Sequence, residues 1–207
     1  WTIPTNGGEA LAVVLAILLG FAMPMTATQI LWVNLASSAT LGLALAFEPA
    51  EPGVMGRPPR RPDASLLTPF LLWRVILVSA LMAGLTLGGF FLTLAQGHEL
   101  AMARTVAVNL LMAAEVFYLF NVRYLHMRST TWRGARGTRA VLAAVGAVVL
   151  AQAAFTYWPP MQAVFDTRAL GLGQLVLIVA AGAGLALLLE AEKALMRRMG
   201  WFAELGA

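Results

Sequence analysis

Six apolar runs, each about twenty residues or longer, dictate what this chain can become. They cover residues 2–23, 27–47, 69–94, 101–124, 139–157 and 170–190. A helix rises about 1.5 Å per residue, so about 20 residues cross the ~30 Å hydrocarbon core of a bilayer. Of the 207 residues, 60% are hydrophobic and only 12% are charged, against about 25% charged in soluble domains. A soluble core could not hide that much apolar surface. The chain reads as all-α: a polytopic membrane helix bundle of about six transmembrane helices, forming one transmembrane domain over 1–207 with a cytoplasmic tail at 191–207. The links at 24–26 and 95–100 are short, which predicts that the first two helix pairs are hairpins. Met23-Pro24-Met25-Thr26 offers a helix stop and a restart.

The charges orient the bundle. Arg57, Arg60, Arg61, Arg74, Arg123, Arg128, Arg133, Arg136, Arg139, Lys193, Arg197 and Arg198 fall on one side, and only Arg104 and Arg168 on the other. Basic residues favour the cytoplasmic side, so the chain is expected to be multi-pass in the cell membrane, with basic loops and carboxy terminus cytoplasmic. The net charge of +4 therefore reflects orientation in a lipid bilayer; no nucleic-acid partner is expected. The absence of cysteine excludes disulfides and thiolate metal sites. The start, Trp1-Thr2-Ile3-Pro4, carries no secretory signal and reads as the interior of a longer protein.

Several polar residues sit where lipid offers them no partner. Asn34, Ser37 and Ser38 are spaced i, i+3 and i+4 in the second run, one stripe of an α-helix. Such residues face an ion path, or they hydrogen-bond a neighbouring helix or their own backbone. In the first run, Pro4, Gly7 and Gly8 could unwind the helix and free carbonyl oxygens beside Asn6 and Glu9. Alternatively, Trp1 to Glu9 is a loop that places Glu9 near a helix N-terminus. Glu115 is the one carboxylate well inside a clear span. Asn6, Glu9, Asn34, Ser37, Ser38 and Glu115 could together offer side-chain oxygens from three helices to a cation. Asn109 is off the Glu115 face and reads as a packing contact. Gly84/Gly88 and Ala180/Gly184 have the small-residue spacing that lets helices approach. Tyr157, Trp158 and Trp201 resemble interfacial anchors. His98 and His126 lie in or beside loops without metal-ligand spacing, and no nucleophile–base pair or phosphate-binding glycine loop is present.

Gln29-Ile30-Leu31-Trp32-Val33-Asn34, then Ser37-Ser38, then Pro49 and Met55-Gly56-Arg57-Pro58-Pro59-Arg60 resemble the sixth transmembrane helix and following loop of cation-transporting P-type ATPases of the calcium-pump-like group. Asn6, Gly8 and Glu9 match the N-x-G-E of that family's fifth helix. Glu115, followed by Asn121, resembles its eighth. The resemblance implies family helices five to ten, with Asn6, Glu9, Asn34, Ser37, Ser38 and Glu115 as cation ligands. It also implies partners: the transported cation and the remainder of the pump polypeptide, whose cytoplasmic domains would hold ATP and magnesium. No cofactor is expected within this chain.

Two departures stand out. Calcium pumps usually carry an aspartate where this chain has Ser38, so the site loses a formal charge. A single divalent ion, a monovalent ion or protons then fit better than two tightly held calcium ions. The D-K-T-G-T phosphorylation motif and the family's fourth helix are also missing, so the chain alone is expected neither to hydrolyse ATP nor to pump. The alternative is a stand-alone multi-pass subunit or passive carrier of the same descent. A lipid-embedded enzyme is disfavoured, because no clustered His, Asp or Glu faces one leaflet.

Overall fold

The structure, a computed structural model, describes residues 1–48, 69–123 and 138–198. Arg57, Arg60, Arg61, Arg128, Arg133, Arg136, His126, Trp201 and the 55–60 part of the motif lie outside the described residues. The described residues form helices and links only. These are α1 (Thr2–Leu18), α2 (Ala27–Leu45), α3 (Pro69–Ala95), α4 (Leu100–Val122), α5 (Arg139–Tyr157), the short α6 (Pro159–Phe165) and α7 (Leu172–Arg198). Helices α2, α3, α4, α5 and α7 are long and apolar enough to cross a membrane. At 17 residues α1 is shorter, about 26 Å by helical rise.

Local chemistry explains where the first helices stop and start. α1 ends at Leu18, well before its apolar run does, because Gly20 takes φ +70°. The Gly20 N–H then donates to the Ile17 carbonyl (3.2 Å) and the Phe21 N–H to the Ala16 carbonyl (2.9 Å), a Schellman cap. The stop expected at Met23-Pro24 is thus made earlier. Thr26 does restart the chain: its hydroxyl accepts from the Gln29 N–H (3.2 Å), while the Gln29 side chain accepts from the Thr26 N–H (3.0 Å). At the α3–α4 turn, Gly97 (φ +82°) makes the same Schellman cap as Gly20. The expected α3–α4 hairpin forms. The expected α1–α2 pair is looser: α1 packs chiefly on α3 and meets α2 through few contacts, Glu9 with Asn34 and Trp1 against Gly42.

The glycines of α1 account for that pairing. Neither unwinding nor a loop at Pro4 to Glu9 occurs, since α1 is helical from Thr2; Pro4 sits in the first turn, where its missing donor costs nothing. A Cβ on Gly8 would stand 2.7 Å from Met82 Cβ, and one on Gly7 2.4 Å from Ser79 Oγ. Ser79 also donates to the Pro4 carbonyl (2.9 Å). Gly84, Gly88 and Gly184 have nothing within 4 Å of a would-be Cβ, so the spacing motifs are not the contacts. Gly89, against Leu110, and Gly182, against Phe117, provide the close approaches instead.

α4 is the pillar of the bundle. It is buried on nearly all sides, including Val108, Leu111, Met112, Ala114 and Leu119, and packs against α3 and α7. Asn109 ties it to α5 through Thr156 (3.2 Å), the packing role expected of it. At the end expected to be cytoplasmic, buried Arg74 donates to Glu192 (2.6 Å) and to the Asn121 side-chain oxygen (2.9 Å), joining α3, α4 and α7. Lys193 is fully buried, donates to the Asn121 carbonyl and faces Glu190 at 3.6 Å. Helix α7 thus runs to Arg198, through the first part of the expected tail. Glu48 accepts from Arg123 (2.9 and 3.0 Å) and Thr138 (2.9 Å), clasping the ends of α2, α4 and α5. At the opposite end, Arg104 donates to the Met23 carbonyl (3.0 Å), and Arg168 pairs with Glu99 (2.5 Å) and Asp166 (3.0 Å).

Two substitutions test this packing. Gly8→Ala should lower stability by about 1–3 kcal/mol, because Met82 Cβ is backbone-anchored and α1 must shift, whereas Gly84→Ala should stay within about 0.5 kcal/mol; thermal unfolding in detergent distinguishes them. Arg74→Ala leaves the half-buried Glu192 with only the Trp73 indole as a donor and the Asn121 side-chain oxygen without Arg74, and should cost about 1.5–3 kcal/mol on the same assay.

Candidate ion site

α2 is not α-helical throughout. After the turns Ala27–Val33 it passes into a nine-residue π-helix, Asn34–Gly42, and then returns to α form at Leu43–Leu45. A π-helix bonds each N–H five residues back rather than four, and such segments are frequent at functional sites. The polar residues picked out in this run all fall inside it. Because the angular step per residue changes, the single stripe expected of Asn34, Ser37 and Ser38 is not kept: they address different neighbours.

Asn34 reaches α1. Its amide nitrogen donates to both oxygens of Glu9, at 3.0 and 3.1 Å, and to the Ile30 carbonyl one turn back, at 3.0 Å. The Ile30 carbonyl can only accept, as does Glu9 when ionised, which places the nitrogen and not the oxygen towards them. Ser37 is buried and is a hydrogen-bonding neighbour of the Glu115 carboxylate on α4. The Glu9 and Glu115 charges lie close enough to interact. Among the described candidate residues, two buried oxygens have no hydrogen-bond partner: Oγ of Ser38 and Oε2 of Glu115. Buried polar atoms are nearly always paired, and in hydrocarbon no bulk water substitutes. These two atoms therefore mark unspent capacity to accept.

Four of the six candidate residues, Glu9, Asn34, Ser37 and Glu115, are thus drawn together into a polar patch from α1, α2 and α4, and Ser38 follows Ser37 in the same π segment. The sixth, Asn6, is exposed on α1. It stands on the wall of a cleft of about 340 Å³ that Glu9, Val13, Ile30 and Asn34 also line. The cleft exists because α1 leans on α3 and leaves its α2 side open. Among the described residues no group of three or more His, Cys, Asp or Glu is assembled; the patch offers two carboxylates with amide and hydroxyl oxygens.

The residues around the patch hold it in place. Gln29 caps α2 and donates to the Phe165 carbonyl of α6 (2.9 Å). The Trp32 indole donates to Gln152 of α5 (3.1 Å) and stacks on Phe155, with ring centroids 5.5 Å apart. Sequence reasoning missed three things: the π-helix, α6, and the buried network of Arg74, Asn121, Glu190, Glu192 and Lys193. Pro159 and Pro160 after Trp158 were an available signal for α6, since proline suits the first turn of a helix. No periodicity announces a π segment.

The sequence model of the family described as Cation transporting ATPase, C-terminus, matches residues 22–195. Among curated relatives, the Probable cation-transporting ATPase F of Mycobacterium bovis is 43% identical over 198 residues, covering 95% of this chain and 22% of the relative. The Cation-transporting ATPase pma1 of Synechocystis is 36% identical over 170 residues, covering 80% of this chain and 19% of the relative. The Calcium-transporting ATPase of Bacillus subtilis is 31% identical over 183 residues, covering 86% and 20%. The chain spans about a fifth of the length of these relatives. With its helical bundle and its match over most of the chain, this protein belongs to the family of carboxy-terminal membrane domains of P-type cation-transporting ATPases.

Proposed function

We propose that this chain is the ion-binding and translocating membrane portion of an ATP-driven cation pump. ATP and magnesium would be bound by cytoplasmic domains of the same polypeptide outside this chain. The observation that carries this reading is the convergence of Glu9, Asn34, Ser37 and Glu115 from three helices, with buried oxygens of Glu115 and of the adjoining Ser38 left without a hydrogen-bond partner. Asn6 would join them from the cleft wall. Buried carboxylates at membrane depth are costly and mark ion paths.

The charge of the patch limits the cargo. Glu9 and Glu115 can bring at most two formal negative charges, and Ser38 brings none. Hard divalent ions take about six to eight oxygens, and affinity rises with the number of charged ligands. One divalent ion, or a monovalent ion, is balanced by this set; two calcium ions are not. Calcium is carried into the reading by the relative from Bacillus subtilis, described as calcium-transporting. Phosphorylation of the cytoplasmic domains would switch the site between a tight and a weak state, and the difference in affinity is what ATP supports. The excess of basic residues at the α2/α3 and α4/α5 links and at the end of α7 supports a cytoplasmic placement for that side.

The full-length pump should show cation-dependent ATPase activity with one ion moved per cycle. Counting calcium against ATP in vesicles is the direct measurement, and two calcium ions per cycle would overturn the single-ion assignment. Glu115→Gln keeps the side-chain volume and should raise the half-activating cation concentration about tenfold or more. Ser38→Asp should lower it for divalent ions by a similar factor.

A further inference from the structure

The hydrogen bonds of Asn34 bear on how the site is loaded. Glu9 is buried, with 6% of its surface exposed, and both of its oxygens accept from one nitrogen of Asn34. A carboxylate in that setting needs a positive or donating partner. In this structure the Asn34 amide supplies it, from the direction of α2 and at hydrogen-bond distance. The same nitrogen is tethered to the Ile30 carbonyl. An incoming cation needs oxygens, yet the face of Asn34 turned to Glu9 carries hydrogens.

We propose that Asn34 acts as an internal stand-in for the cation: its amide nitrogen satisfies Glu9 while the site is empty, and loading requires the amide to turn so that its oxygen replaces its nitrogen. The inference rests on the cation-site reading above and adds to it a positioning residue that sets how strongly an ion must compete. The turn has a built-in cost. Rotating the amide in place would set its oxygen against the Ile30 carbonyl, acceptor facing acceptor, so the backbone around residue 34 must adjust as well. Asn34 is the first residue of the π-helix and stands on the wall of the cleft, so the change begins where the helical register already breaks and beside open volume. Ser37, three residues on in the same π segment, is a neighbour of the Glu115 carboxylate on α4. One helix thereby meets carboxylates on two others.

Asn34→Asp tests this in the complete pump polypeptide, because it preserves shape and acceptor oxygens while removing both N–H donors. Thermal unfolding is followed in chelator and then with calcium, manganese, magnesium, sodium and potassium salts in turn. The expected result is a drop of about 3 °C or more in chelator relative to wild type, with most of the loss recovered by the stabilising cation. Asn34→Leu, which also removes the donors but offers no oxygen, should show the drop in chelator without the recovery. An Asn34→Asp protein that melts with wild type in chelator, while the wild type is stabilised by a cation, would overturn the stand-in role and leave the cation site standing. If no cation in the series stabilises the wild type, the cation-site reading itself fails, and this inference with it.

Discussion

Polar atoms at bilayer depth have no water to turn to, and that constraint organises this bundle. Each polar side chain must find its partner on another helix or on its own backbone. Asn109 finds Thr156, Ser79 finds the Pro4 carbonyl, Trp32 finds Gln152, and Arg74 finds Glu192 and Asn121. Most of these pairs are helix-to-helix fasteners. They fix α2, α3, α5 and α7 around the central α4, and so fix the positions from which Asn34, Ser37 and Glu115 project. Among the described residues pairing stops short at only a few buried side-chain atoms, and Oγ of Ser38 and Oε2 of Glu115 are among them.

The two halves of the Gln29 to Asn34 motif divide the labour. Gln29 and Trp32 look outward from α2 to α6 and α5, and between them they set its position and rotation. Asn34 looks the other way, to α1. The motif is therefore a compact device that anchors one face of a helix and offers the other. Its local consequence is the change from α to π winding at Asn34, beyond which Ser37 turns towards α4.

Much of this was legible in the sequence, for reasons that can be named. Apolar runs of bilayer length gave the helices, because the span of hydrocarbon sets the length. Isolated polar residues in those runs gave Asn34, Ser37, Ser38, Glu9 and Glu115, because such residues are expensive. The rest depended on tertiary contact. Gly7 and Gly8 look like helix breakers in one dimension; in three they are the flat face that α3 needs. Gly84 and Gly88 have the spacing of a packing motif and pack against nothing within the described residues. Arg74 and Lys193 read as orientation charges, yet both are buried in a network that only the approach of α3, α4 and α7 creates. The end of α1 was misplaced because Gly20 competes with Pro24 as a stop, and glycine's access to positive φ wins.

The sparse contact between α1 and α2 divides the bundle mechanically. α1 is keyed to α3 by two glycines and a serine, while α2 is keyed to α5 and α6 by Gln29 and Trp32. Those are separate blocks, and the amide of Asn34 bridges the cleft between them to Glu9, while Trp1 rests against Gly42 nearer the helix ends. A bundle built this way behaves less like a solid than like a pair of jaws. A displacement of α1 relative to α2 would be felt directly at Glu9, whose partner stands on the other block. The partner of one buried carboxylate therefore depends on where two separately anchored helices stand.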